Sequence, residues 1–205
     1  MIWNREKILG SMQNILEICT LHAGIKLDIF TVLSEKPLTA RQIAQTIEVN
    51  QNKLTLLLNA LVAIQLLSKK DQLYLNTEAA EKYLSKNSAD YLGYIILHHS
   101  NLMQAWGSID QAIITGQPTR QKKNKKEEIQ NFLMGMFNIT SRVATFVSEK
   151  IDLSKNKKLL DLGGGPATYS IFFCKHYSQL KATVFDLPTT QEYAQKIINQ
   201  FGMNG

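Results

Sequence analysis

The sequence predicts a mainly α-helical protein with a winged-helix N-terminal part and a C-terminal part that opens a Rossmann-like α/β sheet. Three observations point there. Residues 37–76 read as helix, helix, β-hairpin. Residues 158–201 read as strand, glycine turn, helix, strand, helix. Between them the pattern is that of long amphipathic helices. The 205 residues fit one large domain or two small ones. An apolar content of 44% with 20% charged residues marks a globular chain and excludes wholesale disorder.

The elements follow from local patterns. Ile8, Leu9, Met12, Ile15, Leu16 and Cys19 recur with a helical period of about 3.6, which predicts an amphipathic helix over 3–20. A second helix is expected over His22–Leu33, stopping before Pro37. Thr39 and Gln42 have capping-box spacing and open a short helix, Ala40–Thr46. After a turn at Val49-Asn50, Lys53–Leu67 is a leucine-rich helix. Two short strands, Leu66–Lys69 and Leu73–Leu75, make the hairpin, and Thr77 caps a helix through Leu84. Asp90–Ile114 and Glu127–Ile151 are expected as two long helices on either side of a lysine-rich linker. The period then changes. Lys158–Leu162 is a strand, Gly163–Ala167 a turn, Thr168–Tyr177 a helix, Ala182–Phe185 a strand and Thr189–Phe201 a helix, the opening of a parallel sheet.

The charge balance narrows the function classes. A net charge of +6 invites a nucleic-acid reading. Residues 1–120, however, hold 11 basic and 10 acidic side chains, and the excess lies in residues 121–205. Much of it sits in two short runs, Lys122, Lys123, Lys125, Lys126 and Lys155, Lys157, Lys158, which are expected as solvated loops. The candidate recognition helix of the winged segment offers Gln51, Asn52, Thr55, Asn59 and Gln65, with Lys53 as its one cation. That is poor for phosphate neutralisation. DNA binding therefore stays an alternative, and no nucleic-acid partner is expected. Cys19 and Cys174 have neither metal nor redox spacing, so no metal site is expected. The absence of a signal-peptide order and of a long apolar run predicts a cytoplasmic protein with no membrane partner.

The chemistry-bearing stretch is Leu159-Leu160-Asp161-Leu162-Gly163-Gly164-Gly165-Pro166-Ala167. A strand ends near an acid, and three glycines lead into a helix. Glycine lets backbone turn tightly and approach a ligand, and the helix start presents free N–H groups. At the tip of the next strand, in Val184-Phe185-Asp186-Leu187-Pro188, Asp186 is placed to accept ribose hydroxyls. The dinucleotide pattern would want glycine at position 168, which is Thr. The acid before the glycines suits a ligand with a cationic amino group, such as S-adenosylmethionine.

On these residues the chain resembles the S-adenosylmethionine-dependent O-methyltransferases that carry an N-terminal winged-helix dimerisation domain, a family that includes plant phenolic, acetylserotonin-type and bacterial enzymes. Segment 37–76, Leu102-Met103-Gln104-Ala105-Trp106 with Gly116, and Phe132 to Met136 match its layout. Tyr91-Leu92-Gly93, His98-His99 and Gly163 to Tyr169 match its bacterial branch. The resemblance implies a dimerisation domain over 1–86, helical linker and cavity helices over 87–151, and a partial cofactor domain over 152–205. It implies S-adenosyl-L-methionine as cofactor, held by Asp161, Gly163, Gly164, Gly165, Asp186 and Leu187. It implies a hydroxyl acceptor, small and aromatic, near Phe132 and Met136, and a homodimer through the N-terminal helices. His98, beside Trp106, and Met103 are added to the candidate lining for their own chemistry, a ring able to polarise a hydroxyl and a pliable apolar side chain, with plain helix packing as the alternative. The family's glycine at position 167 is Ala here, which is expected to weaken the fit at most. The family's catalytic histidine lies beyond the second strand, and His22, His98, His99 and His176 do not occupy that place. No catalytic residue is therefore assigned. The expectation is a C-terminally truncated chain, inactive alone, with a non-catalytic dimerisation module as a further alternative.

Overall fold

A computed structural model describes residues 3–119 and 126–203. The chain divides into two compact units, 1–97 and 98–205.

The first unit begins with α1 (Arg5–Lys26), α2 (Ile29–Val32), β1 (Leu38–Thr39), α3 (Ala40–Thr46) and α4 (Gln51–Ala63). β2 (Leu67–Lys70), β3 (Leu73–Asn76) and α5 (Glu78–Leu84) follow. The three strands form an antiparallel sheet in the order β1-β3-β2, with Lys69 opposite Tyr74. Side-chain caps begin the helices: Asn4, Asn50 and Thr77 each accept an N–H from the first turn. Thr39 and Gln42 form both halves of the capping box. Ile29, Phe30, Ile43, Leu58, Leu61 and Tyr74 lie in one closed core.

Several boundaries differ from the sequence expectation. The two helices expected over 3–20 and 22–33 divide later, at 27–28. α1 runs on through Lys26, and its buried residues, His22, Gly24 and Ile25, all lie in this last part. The chain breaks at Asp28, which takes a left-handed φ of 56°. Its carboxylate accepts from the Thr31 hydroxyl at 2.7 Å and from Lys86 Nζ at 2.9 Å. A short polar side chain that bonds locally tolerates this conformation. α4 stops at Ala63, and the chain turns at Gln65, with φ 61°, into the hairpin.

α6 (Gly93–Trp106) crosses the boundary between the units, and the second unit continues with α7 (Ile109–Thr115). The single helix expected over 90–114 is therefore two, separated at Gly107-Ser108, a pair with low helix propensity. Then come α8 (Lys126–Lys150), β4 (Lys158–Leu162), α9 (Thr168–His176), β5 (Lys181–Phe185) and α10 (Pro188–Gln200). Of the first lysine run, Lys122, Lys123 and Lys125 lie outside the described residues, and Lys126 opens α8. Lys155 and Lys157 are exposed between α8 and β4. β4 and β5 pair in parallel, with Asp161 opposite Val184 and Leu162 opposite Phe185. This register brings the two strand tips to the same end. α8 packs on α9 and on α10. Leu133, Ile171, Tyr193 and Ile197 are buried here, and Phe201 stands edge-on to Phe137 and Phe172.

Candidate functional site

The turn after β4 is built by backbone geometry. Gly163 and Gly165 both take left-handed φ values, 68° and 54°. The Gly163 N–H donates to the Phe185 carbonyl at 2.8 Å, and the Gly165 N–H donates to Asp186 Oδ2 at 2.7 Å. The glycine turn is thus tied to the tip of the neighbouring strand. Gly164 is needed for a different reason. A Cβ there would lie 2.7 Å from the Asp161 carboxyl carbon and 2.8 Å from a Val184 methyl. Ala167 is also left-handed, with φ 64°, and is fully buried. An alanine in that conformation carries strain of about 1 kcal/mol, which a glycine would not. Its N–H still closes the turn onto the Gly164 carbonyl at 2.9 Å.

The two acids are held differently. Asp161 Oδ2 accepts the Ser170 hydroxyl from α9 at 2.7 Å. Asp186 Oδ2 accepts Gly165 N–H, while its Oδ1 accepts Leu187 N–H at 2.6 Å and the Thr190 hydroxyl at 3.0 Å. Partial burial works against ionisation of Asp186. The donations from Gly165, Leu187 and Thr190 outweigh it and hold the carboxyl below its ordinary range. Three of about four lone-pair positions on this carboxylate are already used.

A cavity of about 880 Å³ lies over this turn, within the range of about 300–1,000 Å³ usual for small-molecule sites. Asp161, Gly163, Gly164, Gly165, Asp186 and Leu187 all line it. α8 supplies the facing wall through Phe132 and Met136. The structure therefore gathers eight of the eleven residues singled out in the sequence. It does not bring in the other three. His98 is buried with its ring 5.2 Å from that of Phe132, on the wall residue and not on the cavity. Met103 is half-buried elsewhere on α6, and Trp106 at the helix end is 67% exposed.

Sequence reasoning missed Glu128, Thr140, Thr168 and Thr190, all of which line the cavity. For two of them a signal existed. Residues 128, 132, 136 and 140 follow one another at four-residue spacing along one face of α8. For Thr168 none existed: its hydroxyl is buried without a hydrogen-bond partner, which only the packed structure reveals.

Two family models match the chain. The O-methyltransferase dimerisation domain matches residues 10–86, and the O-methyltransferase domain matches residues 110–204. The chain belongs to the S-adenosylmethionine-dependent O-methyltransferase family. Among its relatives in this family, the 3-hydroxy-5-methyl-1-naphthoate 3-O-methyltransferase of Streptomyces sahachiroi is 30% identical, over 91% of this chain and 56% of the relative. The N,N-dimethyltransferase OxyT of Streptomyces rimosus is 25% identical, over 90% of this chain and 57% of the relative. The crystal structure of human N-acetylserotonin methyltransferase in complex with SAM has the same fold. Its TM-score is 0.78 at 23% identity, over 95% of this chain and 63% of that one. This O-methyltransferase-family chain thus spans little more than half the length of the curated relatives it matches.

Proposed function

We propose that the cavity over the glycine turn binds S-adenosyl-L-methionine, in a protein that as a whole transfers the cofactor's methyl group to a hydroxyl of a small aromatic acceptor, while these 205 residues by themselves, with no catalytic base assigned among them, transfer none. One observation carries this reading. Two acids, on adjacent strand tips, stand on either side of a glycine turn whose backbone is open to a ligand, beneath an apolar wall from α8.

The residues present fit that cofactor. Asp161 has one oxygen engaged by Ser170 and the other left to receive an ammonium group. Asp186 keeps one acceptor position, so it takes one ribose hydroxyl, or two if it releases a turn N–H. Exposed Leu187 offers an apolar surface to the adenine. Gly163 has no atom near the place of a Cβ, so its backbone can be approached closely. The cofactor supplies a methyl group on a positively charged sulfur, open to attack by a deprotonated oxygen. The chain's own residues act by position. Phe132 and Met136 hold the acceptor against the cofactor cleft and exclude water, and His98 supports Phe132 from behind. Orientation of this kind accounts for much of the acceleration in such transfers. The sequence-based assignment of Met103 and Trp106 to the acceptor finds no support in the cavity, and the reading rests on Phe132 and Met136.

The N-terminal unit fits a homodimerisation role. Trp3, just before α1, and Ile8, Leu9, Met12, Ile15 and Leu16 along it are exposed, and exposed apolar residues grouped in this way support an interface reading. The α3, α4 and β2–β3 arrangement has the order of a winged helix. Within this reading the boundaries 1–86, 87–151 and 152–205 describe the dimerisation, cavity-helix and cofactor segments.

Calorimetry with S-adenosylmethionine tests the site. The expected result is saturable binding to the wild type that Asp186→Ala removes. No binding to the wild type would overturn the cofactor reading and favour a non-catalytic dimerisation module. Transfer is assayed with labelled methyl and a paired set of naphthols and naphthylamines, and these 205 residues alone are expected to label neither. Label in the naphthols overturns the expectation of an inactive chain and supports O-methylation. Label only in the amines moves the reading towards nitrogen acceptors, the chemistry named for the Streptomyces rimosus relative.

A further inference from the structure

We propose that the base of the β4–β5 sheet is a docking surface for an acidic protein, built from Lys155, Lys157, Lys158 and Lys181. The inference does not depend on the cofactor reading, because it concerns the other end of the strands from the cavity.

The second lysine run reads in sequence as a solvated loop. The structure ties it down. Tyr177 Oη donates to the Ile151 carbonyl at 3.0 Å, and Gln179 Nε2 donates to the carbonyls of Leu153 and Ser154 at 3.3 and 3.0 Å. The Lys181 N–H donates to the Lys157 carbonyl at 3.0 Å, and the Asn156 N–H closes a turn onto the Leu153 carbonyl at 2.9 Å. The segment leading into β4 is thus clasped to the segment leading into β5, and buried Leu180 anchors the clasp. The lysines ride on it. Lys158 stands opposite Lys181 in the parallel register, on strands about 4.8 Å apart.

All four lysines are exposed. The ion pairs among the described residues involve Lys82, Lys86 and Lys126, and none of these four. Asp152, the acid of the same segment, accepts the Ser154 N–H at 2.9 Å instead. Like charges directly opposite one another destabilise a strand pair, and here no internal acid relieves them. The missing counter-charge is the partner's.

The clasp specifies the kind of partner. Cations held by backbone bonds suit carboxylates that are themselves fixed on a folded surface. Attachment to an anionic bilayer works through polybasic segments beside a membrane anchor or on an amphipathic helix, and this one is a clasped turn. Sequence readout of DNA wants arginine or amide side chains against base edges, and residues 151–158 and 177–181 contain no arginine. Asp161 and Asp186 lie towards the opposite ends of the same strands, so a partner seated on the lysines leaves the cavity open. A patch of this kind acts chiefly on the rate and orientation of encounter. It would hold the protein beside an acidic partner while small ligands still enter and leave.

The test is fluorescence anisotropy at low salt with labelled poly-L-glutamate, beside a labelled DNA duplex and vesicles of phosphatidylserine and phosphatidylcholine. The wild type is expected to bind poly-L-glutamate, more weakly as salt is raised. Lys158→Glu is expected to weaken this binding about threefold, and Lys155→Glu with Lys158→Glu and Lys181→Glu about tenfold or more. Lys36→Glu with Lys53→Glu and Lys70→Glu makes the same change in net charge on the first unit and is expected to leave binding unchanged. Lys158→Glu alone is expected to melt no lower than the wild type, since it turns repulsion by Lys181 into attraction; a purely structural role for these lysines predicts a lower melting temperature. No binding by the wild type, equal loss in both triple variants, or a lower melting temperature for Lys158→Glu overturns the proposal. Tighter binding to the duplex or to the vesicles overturns it in favour of a nucleic acid or a lipid surface.

Discussion

The two units handle their apolar side chains in opposite ways. In the first, a three-stranded sheet and its helices close over Phe30, Leu58, Leu61 and Tyr74, and the exposed apolar residues are concentrated on α1. In the second, the two-stranded sheet is covered by α9, while Leu160, Leu162 and Phe185 are exposed. The polar features differ too. Hydroxyl and carboxylate groups of the first unit cap helices and lock turns, as Thr39, Asp28 and Thr77 do. Those of the second unit, Asp161, Thr168 and Asp186, gather around a cavity. One unit is organised for its own stability and for a surface, and the other for a ligand.

Four changes break or sharpen that contrast. The largest effect is expected from Met12→Asp combined with Leu16→Asp on α1. Burial of each such side chain is worth about 1.5–3 kcal/mol, and a two-fold interface counts each one twice. Light scattering is expected to show a dimeric wild type and a monomeric variant, with the melting of the first unit preserved. A monomeric wild type would remove the interface from the comparison. Next comes Leu58→Ala in the closed core, with an expected loss of about 2–5 kcal/mol in urea unfolding and unchanged cofactor affinity. Loss of both properties would mean that the units are not energetically separate. Gly164→Ala acts on the other unit. Its Cβ meets Asp161 and Val184, and overpacking of this kind costs about 1–3 kcal/mol, to be read as weakened binding in calorimetry. The smallest effect concerns pH. The Asp186 carboxyl is held below its ordinary value of about 3.9. Its stabilising bonds are therefore complete above that value and are lost as the pH falls through the lower, folded one. Thermal melting of the wild type is expected to decline below about pH 4, and Asp186→Asn to flatten that decline. Identical profiles would show that the turn does not depend on the charge.

Local chemistry was legible in the sequence and packing was not. The capping box at Thr39, the parallel strand pair and the Asp161–Gly165–Asp186 cluster are written in short-range spacing, and each is found where that spacing puts it. The break at Gly107-Ser108 was hidden by the apolar period of its flanks, which continues across it. β1 is two residues long, too short for any period to show. The acceptor residues split for a related reason. Phe132 and Met136 are four apart on a single helix face, so their common orientation follows from helix geometry. His98, Met103 and Trp106 are candidates by side-chain chemistry alone, and their placement depends on how α6 packs. Thr168 could not be singled out at all, because an unpaired hydroxyl is a property of its neighbours.

The exposed face of the β4–β5 sheet has a consequence for the behaviour of the chain in solution. Leu162 lies opposite Phe185 in the parallel register, with Leu160 two residues away on the same side. Among the described residues β4 and β5 pair only with each other, so in these 205 residues taken by themselves each strand offers unpaired backbone groups to a further strand. Apolar side chains beside an open edge make a template for self-association, so for these 205 residues prepared by themselves colloidal stability, and not unfolding alone, sets the concentration at which they stay dispersed. A single lysine at position 162 is expected to raise the temperature at which light scattering first climbs.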